Sequence, residues 1–226
     1  MPRPVGRPPR LSRDQIVAAA LDVGIENLTM AAVADRLDTT HQALYRWVRN
    51  RDELVALVAD AYVERLDLTP APAEDWQTWL RRFADSLRRT VLDNLPGFAA
   101  EGLTTYRTTL PFLRLNQTAL RVLTDAGFTP AQAQLIYQTV GTTLLGWLAR
   151  EDAYRTLRAD PAIAQQAVDA TTQHADEDLD LARAAAVDAL TSPTEDRYRF
   201  LVDTLLAGLP HPNPPDDHGQ PTTADP

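Results

Sequence analysis

The sequence predicts an all-α fold in which a small N-terminal helical unit precedes a larger helical body. Three observations carry that expectation. Ser12 and Gln15, Asn50 and Glu53, Thr129 and Gln132, and Ser192 and Glu195 each set a capping side chain three residues ahead of Glu or Gln, the spacing that closes a helix N-terminus. Pro130 and Pro193 fall at first helical positions, where a missing N–H costs nothing. Strand signals are absent, because β-branched residues are scattered and no stretch alternates for long.

Helices are accordingly expected near residues 13–24, 29–36, 40–47, 51–66, 74–94, 97–108, 110–126, 130–156, 161–174 and 193–208. The second and third are the most informative. Thr29 caps an apolar face of Val33, Ala34 and Leu37; Asp38-Thr39 breaks the run; Thr40 caps a second helix that docks through Leu44, Trp47 and Val48. His41, Gln42, Tyr45 and Arg46 are left facing outward. Hydrogen-bonding side chains at the start of such a helix suit a DNA major groove, so the pattern reads as a helix-turn-helix.

Residues 29–54 resemble the tetracycline-repressor (TetR) family of bacterial transcription factors. The resemblance rests on Thr29, Val33-Ala34, Leu37, Thr39-Thr40, Leu44-Tyr45, Trp47, Arg51 and Leu54. Asp38 stands where the family usually has Gly, and Asp tolerates the left-handed turn that position needs. The domains expected are a basic disordered arm over 1–12, a helix-turn-helix domain over 13–50, a helical ligand-binding and dimerisation domain over 51–209, and a disordered tail over 210–226. Six of that tail's seventeen residues are Pro.

Composition narrows the field. With 226 residues, 44% of them hydrophobic, the chain has ample core for one or two domains. It has no cysteine, which excludes disulfides and thiolate metal sites. No window approaches 18 apolar residues, and the basic N-terminus runs into Pro and Arg, so a cytoplasmic protein without membrane contact is expected. The total charge of −9 is unevenly spread. Arg3, Arg7, Arg10, Arg13, Arg36, Arg46, Arg49 and Arg51 outnumber Asp14, Asp22, Glu26, Asp35 and Asp38 within residues 1–51. Screening over about 8–10 Å lets that local basic face act alone. The 22 basic residues are all Arg, which reads as compositional bias.

For contact with double-stranded operator DNA, chemistry divides the roles. Thr40, His41 and Gln42 open the recognition helix nearest to base edges, and Gln42 can pair with adenine. Tyr45, Arg49 and Arg51 suit phosphates. Family resemblance implies backbone contacts from Thr29, Arg46 and Arg51. Ahead of the first helix, Gly6-Arg7-Pro8 resembles an AT-hook core, in which Arg7 enters a narrow minor groove. The competing reading is a solvated basic tail.

A lone helix-turn-helix reads few base pairs, so pairing matters. Leu201 and Leu205 lie on the last stripe, with Tyr198, Val202, Leu206 and Leu209. Leu144 and Leu148 lie on another with Leu135, Ile136, Val140 and Leu145, where Gly141 and Gly146 permit close approach. The resemblance implies that these two helices build an intersubunit four-helix bundle; ordinary intramolecular core is the alternative.

Trp76-Gln77, Leu87-Arg88-Arg89, Thr124-Asp125-Ala126-Gly127-Phe128 and Leu145-Gly146 extend the resemblance to the C-terminal domain of the tetracycline sensors. Their ligand does not transfer. Arg65, Phe83 and Glu101 stand where those sensors place a His, an Asn and a magnesium-binding His. Phe83, Leu87, Phe98, Phe112, Leu115, Tyr137 and Trp147, with Glu101, Thr104, Asn116 and Gln117 as polar anchors, suit instead a mainly apolar effector of unknown identity. No metal and no cofactor is expected. The acidic run Asp176 to Asp180 reads as a solvated connector, and no phosphate loop, nucleophile elbow or HExxH motif argues for an enzyme. The expectation is a ligand-relieved repressor. A constitutive DNA-binding dimer and an activator or corepressor-type regulator are the alternatives.

Overall fold

Side-chain caps open most of the helices of the computed structural model, which describes residues 11–212 except 67, 96, 101–108, 171–177 and 193. Ser12 and Gln15 complete a reciprocal capping box on α1 (Arg13–Val23). A single 3₁₀ turn, Ile25–Asn27, leads to α2 (Met30–Arg36), whose Ala32 N–H is capped by Thr29 at 3.0 Å. Thr40 caps α3 (His41–Leu44) through the Ala43 N–H at 3.3 Å. Between them Asp38 adopts φ 48°, the left-handed conformation expected of the turn. On α4 (Arg51–Val63) Asn50 accepts from Glu53 N–H at 2.9 Å, but the Glu53 carboxylate turns to Arg49, so this box is half made.

The larger part comprises α5 (Trp76–Asn94), α6 (Leu110–Asp125), α7 (Pro130–Ala159), α8 (Pro161–Ala170), α9 (Asp180–Thr191) and α10 (Thr194–Ala207). Asp75 caps α5 and a complete Thr129–Gln132 box opens α7. Two sequence expectations fail here. Helix α9 occupies a stretch where no helix was expected, because its alanine-rich run lacks a capping signature and buries no residue. Ser192, read as an N-cap, instead ends α9: its amide donates to the Asp188 carbonyl at 2.8 Å and its hydroxyl meets the Asp188 carboxylate. The arm over 1–10, the tail over 213–226 and most of the helix expected at 97–108 lie outside the described residues.

Packing forms two cores. The first gathers Ile16, Ala20, Ile25, Leu28, Val33, Leu44, Val48, Leu54 and Val58 from the N-terminal helices and closes over Val91, Leu92, Leu95, Phe98 and Leu148. The second stacks Trp79, Leu80, Phe83, Leu123, Phe128, Ile136, Val140, Leu144, Tyr198, Val202 and Leu206. Leu87 and Trp147 pack against both. Trp79 is fully buried and donates its indole N–H to the Leu68 carbonyl at 2.9 Å, pinning the α4–α5 connection. Helix α7 spans the whole body: its 30 residues measure about 45 Å.

Candidate nucleic-acid interface and ligand cavity

Leu44 and Val48 are buried at 0% and 2%, so they seat α3 on the first core. His41, Gln42 and Arg46 are exposed, as are the capping residues Thr29 and Thr40, and Tyr45 is 53% exposed. These exposed polar side chains cluster in sequence on and around α3 and at the start of α2. The expected second helix was 40–47, but regular helix stops at Leu44 and residues 45–47 form a turn. That turn swings Trp47 outward to 45% exposure, correcting its placement in the core. Arg49 lies beside this face and donates to Glu53 at 2.6 Å; the bond holds the Glu53 carboxyl below its ordinary range.

Arg51 plays a part beyond the one expected. It is half-buried, and its guanidinium donates to the carbonyls of Leu28 and Ile25, each at 3.1 Å. Those carbonyls belong to the turn between α1 and α2, so Arg51 ties the start of α4 to the helix-turn-helix from inside. With these donors committed to the protein, Arg51 is a structural tie. Arg7 lies outside the described residues.

Between α4, α5, α6 and α7 sits a cavity of about 210 Å³. Phe83, Leu87, Phe98, Phe112, Leu115, Asn116 and Tyr137 all line it, as the sequence led us to expect. Burial pushes the Tyr137 phenol up to about 12, so it stays a neutral hydrogen-bond donor. Trp147 does not line the cavity; it faces α10, with its ring 5.4 Å from that of Tyr198. Gln117 is exposed, and Glu101 and Thr104 lie outside the described residues. The structure adds Tyr62 and Val63 from α4, Thr90 from α5 and Gly141 from α7. Of these only Gly141 carries a signal in the sequence, as a glycine inside a helix that suggests close approach. A Cβ built at Gly141 or Gly146 meets nothing within 4 Å. Among the described residues, no group of three or more His, Asp or Glu is placed to hold a metal, and no helix is long and apolar enough to cross a membrane.

A third surface lies along α7 and α10. A groove of about 730 Å³ is lined by Thr143, Trp147, Phe200, Leu201, Thr204 and Leu205, and Phe200 is 73% exposed. Leu201 and Leu205 are half-buried on this face. Leu144 and Leu148, expected beside them at an interface, are buried at 1% and 0%. They point into the chain's own two cores, because the helix stripe that carries them is already covered by α5 and the N-terminal helices.

A helix-turn-helix with an exposed polar α3, carried by a larger helical body, defines a DNA-binding transcriptional regulator, and not an enzyme. The chain belongs to the tetracycline repressor (TetR) family. The class C tetracycline repressor of Escherichia coli is 32% identical over 155 residues, covering 64% of this chain and 70% of that one. A variant TetR from Acinetobacter baumannii AYE, solved with minocycline, is 27% identical with a TM-score of 0.65 over 88% of this chain and 92% of that one. ActR of Streptomyces coelicolor, in complex with actinorhodin, shares the fold at 21% identity with a TM-score of 0.73, over 88% of this chain and 96% of that one. No family model matches the chain.

Proposed function

We propose that the chain is a homodimeric cytoplasmic repressor that leaves a palindromic operator when a small, mainly apolar molecule fills the cavity. One observation carries the reading: α4 belongs to both ends. Its first turns supply Leu54, Val55 and Val58 to the DNA-binding core, where Arg51 grips the α1–α2 turn, and its last turn supplies Tyr62 and Val63 to the cavity wall. A ligand acts only through different affinities for two conformations. An occupant that displaces Tyr62 and Val63 moves α4, and with it the helix-turn-helix.

In this reading residues 13–50 form the DNA-reading unit and 51–209 the sensing and pairing unit. Gln42 and His41 meet base edges, Thr29, Tyr45, Arg46 and Arg49 meet the backbone, and Arg7 in the arm adds minor-groove contact. Pairing uses the groove of α7 and α10, where exposed Phe200 of one copy has an apolar site beside Leu201 and Leu205 of the other. The two recognition helices then enter successive major grooves about 34–36 Å apart.

Selection of duplexes by the purified chain, followed by a compound screen on the selected complex, tests this. The expected result is a two-fold symmetric site whose complex an occupant of the cavity weakens. Tightening by the occupant establishes the corepressor or activator alternative, and insensitivity to every cavity-binding compound establishes a constitutive DNA-binding dimer.

A further inference from the structure

The cavity also restricts the charge and shape of what it takes, an inference that rests on the sensing role above. Gly141 is the informative residue. It lies well inside the 30-residue α7, where glycine weakens a helix relative to alanine. Its φ is ordinary, and a Cβ there meets nothing within 4 Å, so neither backbone geometry nor packing calls for it. What glycine preserves is space, on the wall of the cavity itself.

One turn earlier on the same face stands Tyr137, whose ring lies 5.9 Å from that of Phe83 at an interplanar angle of 44°. Bare helix backbone flanked by aromatic rings makes a flat slot. Four lining residues carry polar groups with no hydrogen bond among the described residues: the Asn116 amide and the hydroxyls of Tyr137, Tyr62 and Thr90. Among the described residues that line the cavity none is charged. Arg65, whose guanidinium lies 5.4 Å from the Tyr62 ring, is exposed and outside the lining. Against this described lining an ionised ligand finds no counter-charge and meets a large desolvation cost.

We propose that the cavity binds an uncharged, flat aromatic molecule seated on Gly141, with hydroxyl or carbonyl oxygens hydrogen-bonded by Asn116 and Tyr137. The pocket holds the volume of roughly seven liquid waters, room for a small fused-ring molecule.

The test uses the full chain and four probes of similar size: β-naphthol, naphthalene, β-naphthoate and naphthylmethylammonium, titrated by calorimetry at neutral pH. β-Naphthol is expected to bind tightest, naphthalene about fivefold more weakly, and the two ions at least about a hundredfold more weakly. Tyr137→Phe and Asn116→Leu each reduce β-naphthol affinity about fivefold and leave naphthalene unchanged. Gly141→Ala raises Tm by about 2–4 °C while lowering affinity for every probe, and Gly141→Leu abolishes binding. An ion that binds as well as β-naphthol, a Gly141→Leu chain with unchanged affinity, or a wild-type chain that binds none of the four overturns the proposal. Operator release is read separately. β-Naphthol that binds without loosening DNA defeats the derepression reading and leaves the ligand chemistry intact, and release by an anionic compound does the reverse.

Discussion

The two cores are built by different rules. The DNA-binding end uses aliphatic and small side chains on short helices: α2 has seven residues and α3 four, far below the length at which a helix is stable alone. Such elements depend on their caps, and Ser12, Thr29, Thr40 and Asn50 all bond to backbone N–H groups. The other end uses long helices and aromatic rings, with Trp76 edge-on to Phe128 at 5.2 Å and Trp79 stacked on Phe83 at 5.8 Å. Large rings pack the space between these helices, and the cavity lies where they meet the first core. A filled region has one arrangement, whereas a hollow one keeps room for two.

If the cores are mechanically joined, the residues crossing the seam should damage DNA binding from a distance. Leu148 is the strongest case, because α7 inserts it at 0% exposure into the first core. Leu148→Ala is expected to cost about 3 kcal/mol in chemical denaturation and to weaken operator binding, although it lies outside the DNA-reading helices. Intact operator affinity in a stable variant would separate the two regions.

Arg51→Ala should cost about 2 kcal/mol, since two carbonyls of the α1–α2 turn lose their donor. A phosphate-binding arginine would instead leave the melting curve alone and reduce only the salt dependence of DNA binding. A smaller effect is expected at Asp152, which receives the Gly97 N–H at 2.5 Å and so holds Gly97 against Ile25. Asp152→Ala is predicted to cost about 1 kcal/mol and to shift the ligand concentration that half-releases the operator.

The least effect belongs to acid. A hydrogen bond from Arg82, with help from the Ala71 N–H, holds the Glu74 carboxyl below its ordinary value of 4.5. A carboxyl depressed on folding stabilises above that value, and the contribution disappears as pH falls through the lowered one. Thermal melts from neutral down to about pH 3 should therefore show a shallower acid loss in Arg82→Gln than in the wild-type chain.

The same contrast explains what could be read from the sequence. Caps act over three residues, so Thr29, Thr40 and the Thr129–Gln132 pair announced their helices without tertiary knowledge. Asp38 was legible as a left-handed turn for a similar reason. Arg51 was not: its partners are 23 and 26 positions away, and nothing local distinguishes an internal tie from a phosphate ligand. Trp47 was misplaced because the helical period was carried three residues past the point where the helix ends. Most cavity aromatics were anticipated, but Trp147 was not separable from them, since opposite sides of one helix face cavity and groove. Leu144 and Leu148 failed likewise, an apolar stripe being silent about which chain covers it.

Helix α7 lines the cavity through Tyr137, Gly141 and Leu145, enters the first core through Leu148, and one turn later buries Glu151 at 2% exposure. That carboxylate receives Thr194 at 2.5 Å and Arg197 at 2.9 Å from α10, along with Arg158. A stiff rod of about 45 Å turns small angles into travel: tilting it by about 5° carries its far tip about 4 Å. Because an ionic clamp bolts α10 to the rod, the two helices are held to tilt together.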